Sequence, residues 1–260
     1  MIAIIEMKES KKMKKLVSVV AITILSLVAQ PAEATQSWNI YEVKVERGKQ
    51  AEFAEAFNKF WQSEDAKGLN MTARLHQYLF NGSNPATHSI ITIHPSRAAM
   101  SKAFETLAQS KAFQSMLESN AEISSSTSDS SMSTLKGWGT ISPEHVVWVG
   151  FRINASDPLA VAGALEELMT SPAMKGFPGE VWLSAVAFGN AGSGGTATHI
   201  ISAGYKTVAE MEEWSQKLQG SPTMLKFGAS MQGAANMLNT ELSTIAAVHN
   251  SGFGAADFKQ

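Results

Sequence analysis

The sequence predicts an α+β fold made of two tandem βαββαβ repeats, because the second half of the chain repeats the pattern of the first. An apolar stripe at positions i, i+4, i+7 and i+8 predicts one face of an amphipathic helix in each half. The stripe consists of Phe53, Phe57, Phe60 and Trp61 in the first half and of Val161, Leu165, Leu168 and Met169 in the second.

The spacing between the two halves changes once along the chain. It is 108 residues as far as Phe80 and Phe188, and 111 residues from His88 and His199 onward. The three added residues fall in the segment NAGSGG at 190–195. We expect them to lengthen a turn and to leave the flanking strands in phase. Each residue of the first half therefore has a matched position in the second half.

Each half begins with a strand and an amphipathic helix. The strands are predicted at 39–45 and 146–153, where apolar residues alternate with others. In the second half, Asp157 is a typical N-cap residue and Pro158 stands at the first helical position, so we expect the helix to begin there.

A hairpin, a second helix and a last strand complete each half. Two alternating runs separated by Asn- and Gly-rich turns predict the hairpin, MTARLHQYLF with THSIITIH in the first half and EVWLSAVAF with THIISAGY in the second. The second helix is expected after Ser96 and after Thr207, and the last strand is clearest at 242–249. The serine-rich stretch at 119–133 has the composition of a mobile surface loop.

This order of elements is that of the split ferredoxin-like unit. One such unit covers only one face of its sheet with helices, so two units are expected to pack sheet to sheet as an intramolecular α+β barrel. The predicted organisation is a signal peptide at 1–34, a ferredoxin-like repeat 1 at 35–142 and a ferredoxin-like repeat 2 at 143–260.

In its element order and apolar pattern over 36–250, the chain resembles a tandem member of the dimeric α+β barrel superfamily. That superfamily includes antibiotic-biosynthesis monooxygenases, haem-degrading monooxygenases and muconolactone isomerases. The resemblance implies the fold and supplies no chemical motif, so it says little about activity.

The haem-degrading members combine an Asn on the first strand, a Trp in the second helix and a His beyond it. In this chain Trp214 stands where that Trp would be. Tyr41 or Val149 stands near the Asn position, and Leu117 or Gly228 stands near the His position. We therefore expect no haem and no other cofactor, and we expect Trp214 to belong to the core.

The first 34 residues have the pattern of an export signal. Five lysines between positions 8 and 15 precede an apolar run at 16–28, and Ala32-Glu33-Ala34 forms a small-residue cleavage site. The apolar run is shorter than the ~20 residues that a membrane-spanning helix needs. The pattern predicts a bacterial protein that is periplasmic or secreted and has no membrane span after cleavage.

The composition of the predicted mature chain makes some partners unexpected. Removing five lysines and three glutamates with the signal leaves 16 basic and 20 acidic residues. Nucleic acid is not an expected partner of an acidic chain, because its binding depends on concentrated positive charge. The sequence has no cysteine and therefore no disulfide. It also lacks HExxH, paired-Cys and His-x-His spacings, so no metal site is predicted.

Alternation along the strands predicts which residues face the inside of the barrel. The predicted inner face of repeat 1 is rich in titratable groups and that of repeat 2 in aromatic and small residues, which suits a ligand chamber. Ile91 and Ile93 are assigned to the helix side. The candidate ligand-binding residues are His76, His88, His94, Trp148, Trp182, His199 and Tyr205. The alternative is a buried polar network that fixes how the sheets register.

Three classes of function follow from these patterns. The first is an exported soluble protein that binds a small, partly apolar molecule in an inter-sheet or sheet-helix cleft. The second is a cofactor-independent enzyme similar to a monooxygenase or isomerase, with His76, His88 or Tyr205 as proton donor or acceptor. The third is a protein-interaction module. In each case we expect a monomeric pseudo-dimer or a weak homo-oligomer.

Overall fold

A computed structural model describes residues 36–189, 197–254 and 257. These residues belong to one compact unit. The predicted signal peptide at 1–34 and the NAGSGG turn at 190–195 lie outside the described residues.

The described part of the chain contains eight strands and seven α-helices. The strands are β1 (Ser37–Val45), β2 (Met71–Phe80), β3 (His88–His94), β4 (Ser124–Gly139), β5 (Val147–Ala155), β6 (Glu180–Gly189), β7 (His199–Tyr205) and β8 (Ala235–Ser251). The helices are α1 (Gln50–Trp61), α2 (Glu64–Lys67), α3 (Arg97–Gln109), α4 (Lys111–Ala121), α5 (Pro158–Met169), α6 (Val208–Leu218) and α7 (Pro222–Ala234). A 3-10 turn at Pro172–Met174 follows α5.

The strands form one closed antiparallel barrel in the order β1-β3-β2-β8-β5-β7-β6-β4, and β4 closes the ring by pairing with β1. Repeat 1 contributes the neighbours β4-β1-β3-β2, and repeat 2 contributes β8-β5-β7-β6. Both runs have the strand order of a ferredoxin-like unit. The prediction of two tandem ferredoxin-like repeats that form an intramolecular α+β barrel is confirmed.

The last strand of each repeat joins the two halves. β4 pairs with β1 of its own repeat and with β6 of repeat 2. β8 pairs with β5 of its own repeat and with β2 of repeat 1. The two sheets therefore merge along two seams into one continuous hydrogen-bonded wall.

The prediction that the serine-rich stretch at 119–133 is a mobile loop is wrong. Its first residues end α4, and the rest forms β4, which is paired on both sides. Its hydroxyls also have partners: Thr127 Oγ1 donates to the Glu42 carbonyl at 3.0 Å, and Arg97 Nη2 donates to Ser133 Oγ at 2.8 Å. Serine-rich composition favours a loop because serine packs little surface, but main-chain pairing holds this strand.

The helices lie outside the barrel and bury an apolar core against each half. The Asp157 carboxylate accepts the Ala160 N–H at 3.0 Å, so α5 begins where the sequence predicts. The core of repeat 1 contains Val45, Phe53, Phe57, Phe60, Trp61, Leu69, Met71 and Leu75, and that of repeat 2 contains Val147, Ile153, Val161, Leu165, Leu168, Leu183, Ile201 and Trp214. Among the helices described, none is long and apolar enough to cross a membrane.

The prediction of which residues of β3 and β7 face the barrel interior is wrong. Strand register decides which residues point inward, and side-chain polarity does not. Directly paired residues of neighbouring strands share a face. Ile91 pairs with Arg74 and with Ile40, so Ile91 faces the barrel interior, as does Ile93 two residues on. The alternate residues face the helices: His88, Thr92 and His94 in repeat 1, and His199, Ala203 and Tyr205 in repeat 2.

Candidate functional site

A cleft of about 600 Å³ lies between the sheet of repeat 1 and its helices α1, α3 and α4. We call it the repeat 1 cleft. Its wall is mostly apolar and is formed by Phe53, Phe57, Trp61, Phe104, Leu107, Phe113, Met116 and Leu117, with Val43 and Ile90 from the sheet. Phe104 and Leu117 are partly exposed, which gives the cleft an apolar rim. Clefts of this size and polarity are typical of small-molecule sites.

A few polar groups interrupt the apolar wall. Tyr41, Thr92 and Asn120 line the cleft, and within the described residues the buried Asn120 Oδ1 has no hydrogen-bond partner. Burial, assisted by the charge of Asp129, raises the pKa of Tyr41 to about 12, so its hydroxyl stays neutral and can donate. The cleft therefore offers hydrogen-bonding groups without formal charge.

His94 stands directly behind the cleft. Its Nε2 lies 3.2 Å from Thr92 Oγ1 and 3.4 Å from Asn39 Nδ2, and its ring packs edge-on against Phe104 with centroids 5.9 Å apart. Burial lowers the pKa of His94 to about 4, so the imidazole is neutral near pH 7. Among the described residues its buried Nδ1 has no partner.

The matched place in repeat 2 carries larger side chains, and the pocket beside it, between α5 and α7, is smaller, at about 230 Å³. Phe227 and Met231 of α7 pack into the repeat 2 core at the matched positions of Met116 and Asn120. Trp214 stands at the matched position of Ala103 and is buried in the same core, as the sequence predicts.

Aromatic side chains of repeat 2 contact one another in this region. The ring centroids of Trp214 and Phe177 are 5.5 Å apart, and those of Phe177 and Tyr205 are 5.8 Å apart. Tyr205 and Trp214 therefore both pack within the repeat 2 core.

A second, smaller pocket of about 90 Å³ lies inside the barrel. We call it the interior pocket. Its walls combine three indoles, Trp38, Trp148 and Trp182, with Arg74, His76 and Glu180. The Arg74 guanidinium lies over the Trp148 ring, 5.3 Å from its centroid. Glu180 accepts from Trp182 Nε1 at 2.8 Å and lies 2.8 Å from His145 Nδ1.

A buried ion network crosses the barrel next to this pocket. Arg152 Nη2 donates to Glu42 Oε1 at 2.8 Å, and Arg152 Nε donates to Glu241 Oε2 at 2.9 Å. Tyr78 and Asn84 also donate to Glu42 Oε1, each at 2.8 Å. Burial alone would lower the pKa of Arg152, but Glu241 and Glu42 hold it above its ordinary value. The network joins β1 and β2 of repeat 1 to β5 and β8 of repeat 2.

The structure divides the seven candidate residues between the two faces of the barrel wall. His76, Trp148 and Trp182 line the interior pocket. The others face the helices: His88 packs its ring on Phe53, His94 lies behind the repeat 1 cleft, and His199 and Tyr205 occupy the matched side of repeat 2. The inter-sheet chamber therefore gathers three of the seven, and a ligand role for any of them stays a prediction.

Sequence reasoning missed several residues that shape the two pockets. Asn120 lies on a helix whose polar positions look solvent-exposed, and nothing in its neighbours signals burial. Glu180 precedes the apolar run of β6 and Glu241 precedes that of the last strand. Extending the alternation of β8 backward from Ser243 places Glu241 on the inner face, so that residue had a usable signal.

Haem does not fit the repeat 1 cleft. Within the described residues its lining contains no His, Lys or Arg, so it offers neither an imidazole for iron nor a cation for the propionates. The described chain also contains no cluster of three or more His, Cys, Asp or Glu that could hold a metal ion.

No protein-family model and no curated protein matches this sequence. Solved structures match its fold. An anthrone oxidase-like protein is 12% identical with a TM-score of 0.58, over 85% of this chain and 95% of that one. A provisionally assigned monooxygenase from Lactobacillus acidophilus is 11% identical with a TM-score of 0.58, over 84% and 97% of the two chains. A similarly assigned protein from Fusobacterium nucleatum is 11% identical with a TM-score of 0.58, over 84% of this chain and 96% of that one. The chain thus has the fold of the dimeric α+β barrel superfamily.

Proposed function

We propose that this protein binds a small, uncharged and largely apolar molecule in the repeat 1 cleft. The observation that carries the proposal is an apolar cleft of about 600 Å³ in repeat 1, set against larger apolar side chains at the matched place in repeat 2. The two halves share one pattern, and protein interiors are close-packed, so a large cleft kept in only one half supports a binding role.

The lining of the cleft defines the chemistry of the ligand. Aromatic side chains on α1, α3 and α4 suit a planar ring system. Because the described lining carries no charged side chain, a charged ligand would lose its hydration without compensation. Tyr41 as a donor and Asn120 Oδ1 as an acceptor suit one or two hydroxyl or carbonyl groups on the ligand.

A pair of matched substitutions tests this proposal. Ala108 is exposed and lines the cleft, so Ala108→Trp places an indole at its mouth. Gln219 is the matched residue in repeat 2 and is also exposed, so Gln219→Trp is the control. We expect the neutral fluorescent probe N-phenyl-1-naphthylamine to bind about tenfold more weakly to Ala108→Trp, and with unchanged affinity to Gln219→Trp. Equal binding by both variants would contradict the proposal.

A cofactor-independent oxygenase is the second candidate function. It is supported by His94, whose ring packs against Phe104 of the cleft wall and whose buried Nδ1 has no partner within the described residues. His94 does not itself line the cleft, so accepting a proton from a phenolic ligand requires Phe104 to move aside. The named oxidase and monooxygenases share only the fold at this identity. A pKa of about 4 makes His94 a weak base, so binding is the better-supported function.

Oxygen consumption separates these two functions. Anthrone is the probe, because one protein of the same fold is named for anthrone oxidation. Oxygen uptake that the protein catalyses and that His94→Gln abolishes, with probe binding retained, would favour the enzyme. Binding of anthrone without oxygen uptake would favour a binding protein.

We also propose that the protein acts outside the cytoplasm. The lysine-rich segment and apolar run before Ala34 support this location. Cell fractionation with an intact-mass measurement should find a periplasmic or secreted chain that begins near residue 35. A cytoplasmic chain of full mass would contradict it.

A further inference from the structure

The interior pocket is separate from the repeat 1 cleft. The two pockets lie on opposite faces of the barrel wall and share no lining residue among those described. Trp38, Trp148, Arg74 and Ser202 in its lining are each partly exposed, so solvent reaches the pocket.

Hydrogen bonds fix the three indoles that form its walls. Trp148 Nε1 donates to the His145 carbonyl at 3.0 Å, and Trp38 Nε1 donates to Ser184 Oγ at 3.1 Å. The donation from Trp182 to Glu180 fixes the third ring. Because each N–H has a partner, the rings keep their orientation whether or not a ligand is bound.

Glycines on the neighbouring strands make room for two of these rings. A Cβ atom at Gly204 would lie 2.9 Å from the Trp148 ring, and a Cβ atom at Gly137 would lie 2.6 Å from the Trp182 ring. A larger residue at either position would require the indole to shift. The glycines of β4 and β7 therefore permit the indole positions that line the pocket.

One buried polar atom on the wall lacks a partner. His76 Nδ1 lies 3.0 Å from Ser243 Oγ, whereas His76 Nε2 has no partner among the described residues. Burial, assisted by the charge of Arg74, lowers the pKa of His76 to about 3, so the ring is neutral near pH 7. A neutral imidazole nitrogen without a partner in a buried wall is a site for one hydrogen bond from a ligand.

The charge balance of the barrel interior favours a neutral ligand. Three inward carboxylates, those of Glu42, Glu180 and Glu241, face two guanidinium groups, those of Arg74 and Arg152. The excess of carboxylates opposes an added anion. The Arg74 guanidinium already occupies one face of Trp148, so an added cation would be repelled there.

The size of the pocket limits the ligand further. Its volume of about 90 Å³ is smaller than the roughly 150 Å³ of a cavity known to bind benzene. We propose that the interior pocket binds a small neutral amide or five-membered heterocycle, which hydrogen-bonds to His76 Nε2 and packs against the indoles. This proposal does not depend on the function proposed for the repeat 1 cleft.

A pair of probes tests the hydrogen bond. Pyrazole is neutral at pH 7 and carries both an N–H and a bare nitrogen, while thiophene has a ring of the same size without an N–H group. Binding is followed by ligand-observed NMR titration of the full mature chain. We expect His76→Phe to weaken pyrazole binding about tenfold and to change thiophene binding little. His249→Phe is the control, because His249 lies on the outer face beside Phe57.

The outcomes are distinguishable from those of the cleft experiment. Ala108→Trp should leave pyrazole binding unchanged. Gly204→Ala, which requires the Trp148 ring to shift, should weaken binding of both probes and remains informative if His76→Phe does not fold. Equal pyrazole affinity in the wild type and a folded His76→Phe protein, or no saturable pyrazole binding at all, would overturn the proposal and leave a pocket that holds water only.

Discussion

The two repeats share one topology but differ in how they use the space between sheet and helices. In repeat 2, Phe227 and Met231 pack against the core at that place. In repeat 1 the matched residues are Met116 and Asn120, and an open apolar cleft remains. One half therefore carries larger apolar side chains between sheet and helices, while the other keeps a larger cleft there.

This difference shows which side chains of a duplicated protein can change while the fold is kept. The strand pairs, the apolar stripe of α1 and α5 and the N-caps of the second and third long helices are kept in both halves. Those N-caps are Ser96 and Ser110 in repeat 1 and Thr207 and Ser221 in repeat 2. The side chains that reach the sheet-helix space from α3 and α4 are not all kept in this way. A few substitutions there can leave a space that a ligand can enter, at some cost in packing.

The largest expected effect on stability comes from removing a large side chain from the repeat 2 core. Trp214→Ala should lower the free energy of unfolding by about 3–5 kcal/mol, because it leaves a cavity in a closed core. Trp61→Ala in repeat 1 should cost less, because Trp61 already borders open space. Chemical denaturation of both variants makes the comparison. Equal losses would mean that the two halves are packed alike.

Acid should destabilise repeat 1 more than repeat 2. The folded pKa values of His76 and His94 are lowered to about 3 and about 4, whereas an unfolded histidine titrates near about 6.5. The unfolded chain therefore binds protons first as pH falls below about 6.5, and stability drops by up to about 1.4 kcal/mol per pH unit for each residue. The matched residues, Ser184 and Tyr205, do not titrate there.

Copying repeat 2 into repeat 1 should therefore reduce acid sensitivity. The variant His76→Ser with His94→Tyr is expected to show a shallower fall of unfolding free energy between about pH 6 and pH 4. Denaturant titrations at several pH values measure the slope. His88 and His199 are matched to each other, so they remain as an internal constant in both proteins. An unchanged slope would assign the acid sensitivity to other groups.

The smallest effect is expected at the unpartnered amide. Asn120→Met copies Met231, removes a buried acceptor that has no partner within the described residues, and fills part of the cleft. It should stabilise the protein by about 1 kcal/mol and weaken binding of the neutral probe. The reciprocal change Met231→Asn places an amide against the apolar core of repeat 2 and should cost about 1 kcal/mol. Thermal melts of the two variants show whether each substitution raises or lowers stability. Stabilisation by Met231→Asn would contradict the proposed difference between the two repeats.

Much of the fold could be predicted because it depends on patterns that repeat. The stripe from Phe53 to Trp61 returns in the second half, and Asp157 marks the start of its helix, so element order and barrel class follow. The faces of β3 and β7 could not be read in the same way. Both faces of β3 carry polar residues, and only pairing with Arg74 and Ile40 decides that Ile91 points inward.

The candidate site was harder to predict, because an apolar stripe does not show whether its surroundings are filled. Phe53, Phe57 and Trp61 look like core residues and are core residues, yet they also line an open cleft. The shape of the cleft also depends on side chains such as Met116 and Asn120, which lie far away in sequence. The strand character of β4 escaped prediction for a related reason, since its stability comes from its two neighbours.

The pairing of β2 with β8 has a consequence for how the chain reaches its native state. Thr72 lies opposite Asn250, so this seam forms only after nearly the whole mature chain is available. Contacts between residues so distant in sequence slow folding, because a long loop must close before they gain any stability. If the protein crosses a membrane in an unfolded state, this seam forms, and the barrel closes, only after export.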